Sequence, residues 1–364
     1  MSLSDPGGKL HILVNGVGGP TPASVAVSLK RFSQFADYWL LGVDANPLAT
    51  GLYRSELFDK TVVVPPANSP DYWPAIERLV KQNEIDLALV QPEVEVVEWG
   101  RRQRDSQLPC EALLPDYNMA RLLVDKTAMS KVLQNTDLVP ASVGLDCELS
   151  NIREVEDVLA YPFWIRAASG SSGLGSLFVD GRDSLASWVR INKSVVSFLC
   201  SEFLPGRNLA CMLLYFEGEL VRAACAERVN YIMAKVAPSG ITGNTSFGRF
   251  LNESGPVSRA IEAMDRLFKF SASRKHGLFT LDFKEDTDGA PRITEVNIRN
   301  VAFNGCFAEL GANFSEDIVR LLTGDPGFDR TFKQYEFDDD YVFIRDVDVE
   351  PIVLRQSELF TVDQ

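Results

Sequence analysis

The stretch that most narrows what this chain can become is residues 278–304, LFTLDFKEDTDGAPRITEVNIRNVAFN. It holds two alternating runs, LFTLDF and RITEVNIR, on either side of EDTDGAP. Period-two alternation is the signature of strands, and Asp288-Gly289 is a hairpin signal. Strict alternation in the second run points Thr294, Val296 and Ile298 one way and Glu295, Asn297 and Arg299 the other. Paired antiparallel across the turn, the first run brings Asp282 to the face of Glu295. Two carboxylates, a neutral amide and a guanidinium then meet at one end of a rigid hairpin. Mg²⁺ takes such oxygen ligands, one or two carboxylates beside substrate phosphates and water. Arg299 can fork onto a phosphate or a developing oxyanion. The same alternation also fits the polar side of a half-exposed sheet. The Arg-Asn ending and the stretches described below favour the metal reading.

D-F followed by E-V-N-I-R resembles the metal-binding hairpin of the ATP-grasp superfamily, an acidic residue, a gap, then E-x-N-x-R. The resemblance implies that Asp282, Glu295 and Asn297 hold two Mg²⁺ ions, or Mn²⁺, against the phosphates of ATP. It implies that Arg299 steadies the transferred phosphoryl group or an acyl-phosphate intermediate. All four residues match in type.

A chain of 364 residues makes two or three domains at roughly 100–200 residues each. With 46% apolar residues a sizeable core is available. The formal charge of −14 argues against nucleic acid and anionic membrane, which need a basic face. Six scattered Cys and two His, with no C-x-x-C, exclude the common structural zinc patterns. Cys200, Cys211 and Cys225 sit in apolar runs, as buried free thiols of a reducing cytosol do. No signal peptide and no run of about 18 apolar residues is present. The expectation is a cytoplasmic protein.

Residues 1–8 read as disordered. From there a β–loop–α pattern repeats: KLHILVNGVGG into PASVAVSLKRF, then WLLGVDANP, KTVVVPP, YWPAIERLVKQN and IDLALVQP. Residues 9–115 are therefore expected to form one parallel, Rossmann-like domain. Gly16, Gly18 and Gly19 lack the third glycine of a dinucleotide fingerprint, since residue 21 is Thr. They read as a tight turn or as a contact for a small ligand. Asp44, Glu93 and Glu95 follow strands and read as solvated loop carboxylates, Glu95 being the best ligand candidate among them.

Residues 116–145 read as a helix pair. The D-K before a helix resembles the entry to the ATP-grasp domain and implies a nucleotide contact for Lys126. In YPFWIRAASGSSGLGSLFVD, a loop of Ser169, Gly170, Ser171, Ser172, Gly173 and Gly175 joins two strands. Its backbone N–H groups can fold onto an anion, or it is a flexible hairpin tip. It resembles the phosphate-covering lid of the superfamily, with Arg166 at the position of the usual phosphate-touching Lys. In the stretch from VVSFLC to SEFLPGRN, the resemblance implies an adenine hinge at Glu202, Phe203 and Leu204, and a ribose contact at Asn208. Ser201 and Asn208 depart from the acidic residues usual there. AERVNYIMAKVAPSGITGNTSFGRF reads as an irregular loop over the site, with Arg228 and Arg249 as candidates to grip a substrate carboxylate. VSRAIEAMDRLFKFSASR is a helix, FAELGANFSEDIVRLLTGD one closing helix, and residues 326–364 an extension of unknown role.

The fold expected is α/β and α+β, a Rossmann-like parallel-sheet domain before a two-lobed ATP-grasp domain at 116–325 with a lid subdomain at about 140–203. The resemblance implies an ATP- and Mg²⁺-dependent ligase that joins a carboxylic acid to an amine and releases ADP and phosphate, and a homodimer is common in the superfamily. Carbamoyl-phosphate-synthase-like or carboxylase activity, or a non-catalytic ATP-binding regulator, remain open.

Overall fold

A computed structural model describes residues 9–170, 173–347 and 352–358. The disorder expected of residues 1–8, and the lid serines Ser171 and Ser172, lie outside the described residues.

Near the amino end, the apolar runs form a parallel sheet of β1 (Leu10–Asn15), β2 (Tyr38–Asp44), β3 (Lys60–Val63), β4 (Leu87–Leu89) and β5 (Glu111–Ala112). The order is β3-β2-β1-β4-β5. Helices α1 (Pro20–Phe32), α2 (Tyr72–Gln82) and α3 (Glu93–Arg104) connect them. Chain direction across the sheet reverses between β1 and β4. Their carboxyl ends, the Gly16–Gly19 turn and the Gln91-Pro92 turn, therefore flank a crevice. Gly16 has φ +69°, and a Cβ there would collide with Pro92, so the tight turn requires glycine.

Helices α4 (Tyr117–Val124) and α5 (Lys126–Leu133) follow. The Asp125 carboxylate caps α5, accepting from the N–H of Thr127 and Ala128, both at 3.0 Å. This fixes Lys126 at the first turn. Next come β6 (Ser142–Asp146), α6 (Ile152–Val158), β7 (Phe163–Ala167), β8 (Leu177–Val179), α7 (Arg182–Ile191) and β9 (Ser197–Glu202). The four strands form an antiparallel sheet, β6-β9-β7-β8, with its own core of Phe163, Ile165, Leu185 and Phe198. A lobe with its own core can move as a body against its neighbours.

The large sheet contains β10 (Asn208–Phe216), β11 (Glu219–Tyr231), β12 (Thr245–Leu251), β13 (Gly277–Glu285) and β14 (Pro291–Asn297), with α8 (Ser254–Ser271) packed on it. Met264, Leu267 and Phe268 of α8 meet Leu213, Tyr215 and Phe279 of the sheet in one buried cluster. Helices α9 (Asn304–Glu309) and α10 (Phe314–Leu322) and strands β15 (Lys333–Gln334), β16 (Tyr341–Ile344) and β17 (Ile352–Arg355) complete the described chain.

Several expectations are corrected. About half of the supposed loop from Ala226 to Phe250 is strand: β11 runs on to Tyr231, β12 begins at Thr245, and residues 232–244 connect them. The two strands pair with irregular register at Arg228, Asn230 and Tyr231, which hides the alternation. The single closing helix is two, broken where Gly311 takes φ +86°. Residues 326–364 include two strands, β16 and β17, that extend the large sheet beyond β12, and β15, which pairs with β11. Glu93 and Glu95 are not loop residues; they open α3. Strict alternation fails in β14. Asp282 pairs with Glu295 but Phe283 pairs with Ile293, so Thr294 is the extra residue of a bulge. Thr294 thus joins Glu295 on the wall of the cleft while Ile293 stays in the core.

Candidate active site

A cleft of about 690 Å³ lies where the parallel sheet, the small lobe and the large sheet meet. Its floor is the β13–β14 hairpin. Asp282 and Glu295 are direct cross-strand partners, and Asn297 stands opposite Thr280. The Asn297 amide donates to Asp282 Oδ2 at 3.2 Å.

Each carboxylate faces a cation. Arg228 Nη2 lies 3.1 Å from Asp282 Oδ1, yet that oxygen is buried with no hydrogen bond of its own. Lys126 Nζ lies 3.1 Å from Glu295 Oε1 and donates to the Gly170 carbonyl at 2.6 Å. A cation at the first turn of α5 opposes the helix dipole; the carboxylate and the lid carbonyl offset this. Arg166 donates to the Thr294 carbonyl and stands 4.0 Å from Glu295. Arg299 reaches toward the parallel sheet, with Nε 3.7 Å from Glu93 Oε1 and Nη1 3.5 Å from Thr21 Oγ1.

Burial pushes the Asp282 carboxyl up; Arg228 opposes this and Glu295 adds to it. Burial also works upward on Glu295, but Lys126 and then Arg166 outweigh it and hold that carboxyl below its usual range. Burial depresses Arg166. On Arg228 burial is outweighed by the Asp282 charge, which keeps the guanidinium protonated. Glu93 is raised by burial against the pull of Arg299.

Metal fit follows from the donors. Two carboxylates and an amide oxygen are hard ligands, and one buried carboxylate oxygen lacks a hydrogen bond. This suits a hard divalent cation that shares its shell with phosphate. Among the described residues no cluster of three or more His, Cys, Asp or Glu could hold a metal by itself.

Most of the residues singled out from the sequence line this one cleft: Lys126, Arg166, Gly170, Gly173, Glu202, Phe203, Leu204, Asn208, Arg228, Asp282, Glu295, Asn297 and Arg299. Ser169 and Gly175 do not. Gly175 shapes the loop from behind, with φ +64° and its carbonyl held by Trp188 at 2.8 Å. Arg249 does not reach the cleft either. It pairs with Glu227 at 3.1 Å on a partly exposed face, one residue out of phase with Arg228. Asp44 braces the Gly turn, accepting from Gly18 N–H at 2.8 Å. Glu95 is half-buried, accepting from Tyr72 and, at 2.5 Å, from Asn15.

Other residues on the cleft were not singled out: Trp164, Tyr231, Lys284, Thr21, Gln91 and the connector residues Ser239, Gly240, Ile241 and Gly243. Trp164 stands two before Arg166 and Lys284 two after Asp282, so strand periodicity was the available signal. The connector meets the lid, and a Cβ on Gly173 would lie 2.5 Å from the Ile241 carbonyl.

No family model matches this sequence, and no curated protein matches it. Solved structures do match. N5-carboxyaminoimidazole synthetase from Staphylococcus aureus, complexed with ADP, is 14% identical with TM-score 0.69, over 94% of this chain and 84% of that one. L-amino acid ligase from Bacillus licheniformis is 13% identical with TM-score 0.66, over 92% and 79%. Biotin carboxylase from Campylobacter jejuni is 16% identical with TM-score 0.65, over 92% and 75%. These likenesses cover nearly the whole chain and show its fold.

Proposed function

From the ATP-grasp fold that the chain has, we propose that it is an ATP-dependent ligase, activating a substrate carboxylate as an acyl phosphate and joining it to an amine with release of ADP and phosphate. The observation that carries this reading is the direct cross-strand opposition of Asp282 and Glu295 in a cleft where Lys126, Arg166, Arg228 and Arg299 converge.

In this reading Glu202, Phe203 and Leu204 receive the adenine and Asn208 the ribose, and the glycine-rich loop covers the phosphates. Asp282, Glu295 and Asn297 would hold Mg²⁺, which when bound neutralises phosphate charge and polarises the γ-phosphoryl group. Lys126 and Arg166 exchange their hold on Glu295 for phosphate oxygens. Arg228 and Arg299 orient the carboxylate, whose oxygen displaces ADP from the γ-phosphorus. Positioning and charge neutralisation supply most of the rate in such transfers. The amine then attacks the acyl carbon and phosphate leaves, while the lid excludes water. The acceptor would lie toward Thr21 and Gln91. We divide the chain at about residues 115 and 325, treat about 140–203 as the lid, and expect a cytoplasmic protein that can form a homodimer. No helix among the described residues is long and apolar enough to cross a membrane.

A second reading takes bicarbonate as the carboxylate, since carboxylases are among the structural matches. The test is a matrix of carboxylates, bicarbonate included, against amines, read as Mg²⁺- and ATP-dependent phosphate release. Glu295→Gln should abolish the release that an active pair gives while the protein still folds, with a lower melting temperature because Lys126 loses its partner. Near-wild-type turnover in that variant would remove the hairpin from the mechanism.

A further inference from the structure

Lys284 has no place in the mechanism above. It stands on β13 two residues beyond Asp282, so the two share a face about 6.6 Å apart along the strand. Uninterrupted pairing of β10 with β13 sets Lys284 directly opposite Asn208 and Asp282 opposite Ala210. Lys284 and Asn208 are thus neighbours on the cleft-facing side, and both line the cleft.

The end of β13 is anchored where the segment after Leu204 returns. Gly206 N–H donates to the Glu285 carbonyl at 2.9 Å, and the Arg207 guanidinium donates to the Glu285 carboxylate at 2.7 Å. Lys284 therefore sits between the carboxylate assigned to the phosphate end and the segment assigned to the base. A nucleotide stretched between those two has its ribose there.

Among the described residues the Lys284 ammonium makes no hydrogen bond or ion pair. It is half-buried. A desolvated ammonium without a partner is costly, and ligand oxygens that accept from it lower that cost. Three carboxylates line the cleft, Glu202, Asp282 and Glu295. Asp282 and Glu295 belong to the metal end, and Glu202 to the hinge. The ribose position thus faces an ammonium with three donors and no acceptor, and an amide.

We propose that Lys284 and Asn208 grip the nucleotide's ribose by donating hydrogen bonds to its hydroxyl oxygens. This assignment rests on the nucleotide reading above.

The experiment is calorimetric titration with MgADP, Mg-2′-deoxy-ADP and Mg-3′-deoxy-ADP of the wild type, Lys284→Met, Lys284→Arg and Asn208→Ala. The wild type should prefer ADP over at least one deoxy nucleotide by about tenfold, the worth of a charge-assisted hydrogen bond. Lys284→Met should weaken ADP by about the same factor and erase that preference; Lys284→Arg should keep part of it. Equal weakening of all three nucleotides by Lys284→Met would make the contact one to phosphate, or a loss of fold, and overturn the ribose assignment. Unchanged ADP affinity in Lys284→Met would overturn it as well. A wild type that binds ADP without ribose preference sinks this assignment alone. One that binds no MgADP at all sinks the nucleotide reading, and this assignment with it.

Discussion

Lys126→Met tests the site before any substrate is known. The ammonium lies 3.1 Å from Glu295 and 2.6 Å from the Gly170 carbonyl, on a residue 6% exposed. Methionine keeps the length and packing of the stem but removes the charge and its donors. At an effective dielectric of about 20, charges at that separation attract by about 5 kcal/mol before desolvation is counted. Breaking a buried pair by removing one member costs about 3–5 kcal/mol, because the other charge stays behind. Arg166, 4.0 Å away, still faces Glu295, so the lower end, about 3 kcal/mol, is expected. The sign with pH follows from Glu295, whose carboxyl is held below its ordinary value of 4.5. The stability its pairing contributes is present above that value and is lost as pH falls through the depressed folded pKa. The gap between wild type and variant should therefore close toward acid pH. Urea melts at pH 7.5 and at stepwise lower pH measure it, provided the slope with denaturant is unchanged. In a Glu295→Gln background the same substitution should cost at least about 1 kcal/mol less. If Lys126→Met costs under about 0.5 kcal/mol at pH 7.5, or costs the same in both backgrounds, the pair does not exist as described.

Three more expectations follow from single residues. Burial raises Asp317, beside Arg222 and hydrogen-bonded by Tyr335 at 2.8 Å, from its ordinary 3.8 to about 7. Its folded pKa lies above the unfolded one, so its contribution is full below about pH 4 and lost as pH rises through about 7. Thermal melts of Asp317→Asn should show that fall in stability flattened, and an unchanged slope would clear Asp317 of causing it. Gly173→Ala, at φ +72° and with its new Cβ 2.5 Å from the Ile241 carbonyl, should weaken MgADP binding about fivefold or more, from roughly 1–2 kcal/mol of left-handed strain; unaltered affinity by calorimetry would mean the lid does not keep this conformation. With the acid–amine pair found by screening, Arg228→Lys should lower kcat about a hundredfold while Arg249→Ala stays within about twofold of wild type. Equal losses would contradict the opposite facings of the two side chains.

What was legible in the sequence was whatever had a strong period or a fixed motif. The β13–β14 hairpin and the β1–α1 opening follow from alternation, helical spacing and glycine turns. Asp282, Glu295 and Asn297 could be named because a period of two fixes a face. Bulges broke the reading, since one extra residue shifts everything after it. Alternation alone faces Thr294 away from Glu295, and the irregular pairing between Arg228 and Tyr231 disguises two strands as a loop. The same irregular pairing hides from the sequence that Arg228 and Arg249 face opposite sides of the sheet. Glu93 and Glu95 were misread differently. A carboxylate after a strand is normally solvated, and only the tertiary approach of Arg299 to one and of Tyr72 and Asn15 to the other explains why they are half-buried and paired.

The cleft's charges suggest why such a site can stand open without collapsing. The cross-strand carboxylates, Asp282 and Glu295, are each matched by one cation, Arg228 and Lys126, so neither is buried alone. Arg166 and Arg299 remain over, and both are loosely engaged, at 4.0 and 3.7 Å from their carboxylates. On the function proposed above, a polyphosphate entering with divalent cations would replace those pairings by others of the same sign: carboxylate with metal, ammonium and guanidinium with phosphate. Little net charge is added to the interior, so the desolvation cost that limits buried ions is largely met in the folded chain. The Lys126–Gly170 hydrogen bond makes this exchange mechanical as well. On the function proposed above, a Lys126 that turned from Glu295 and the Gly170 carbonyl to a phosphate would release one hydrogen bond that holds the glycine-rich loop.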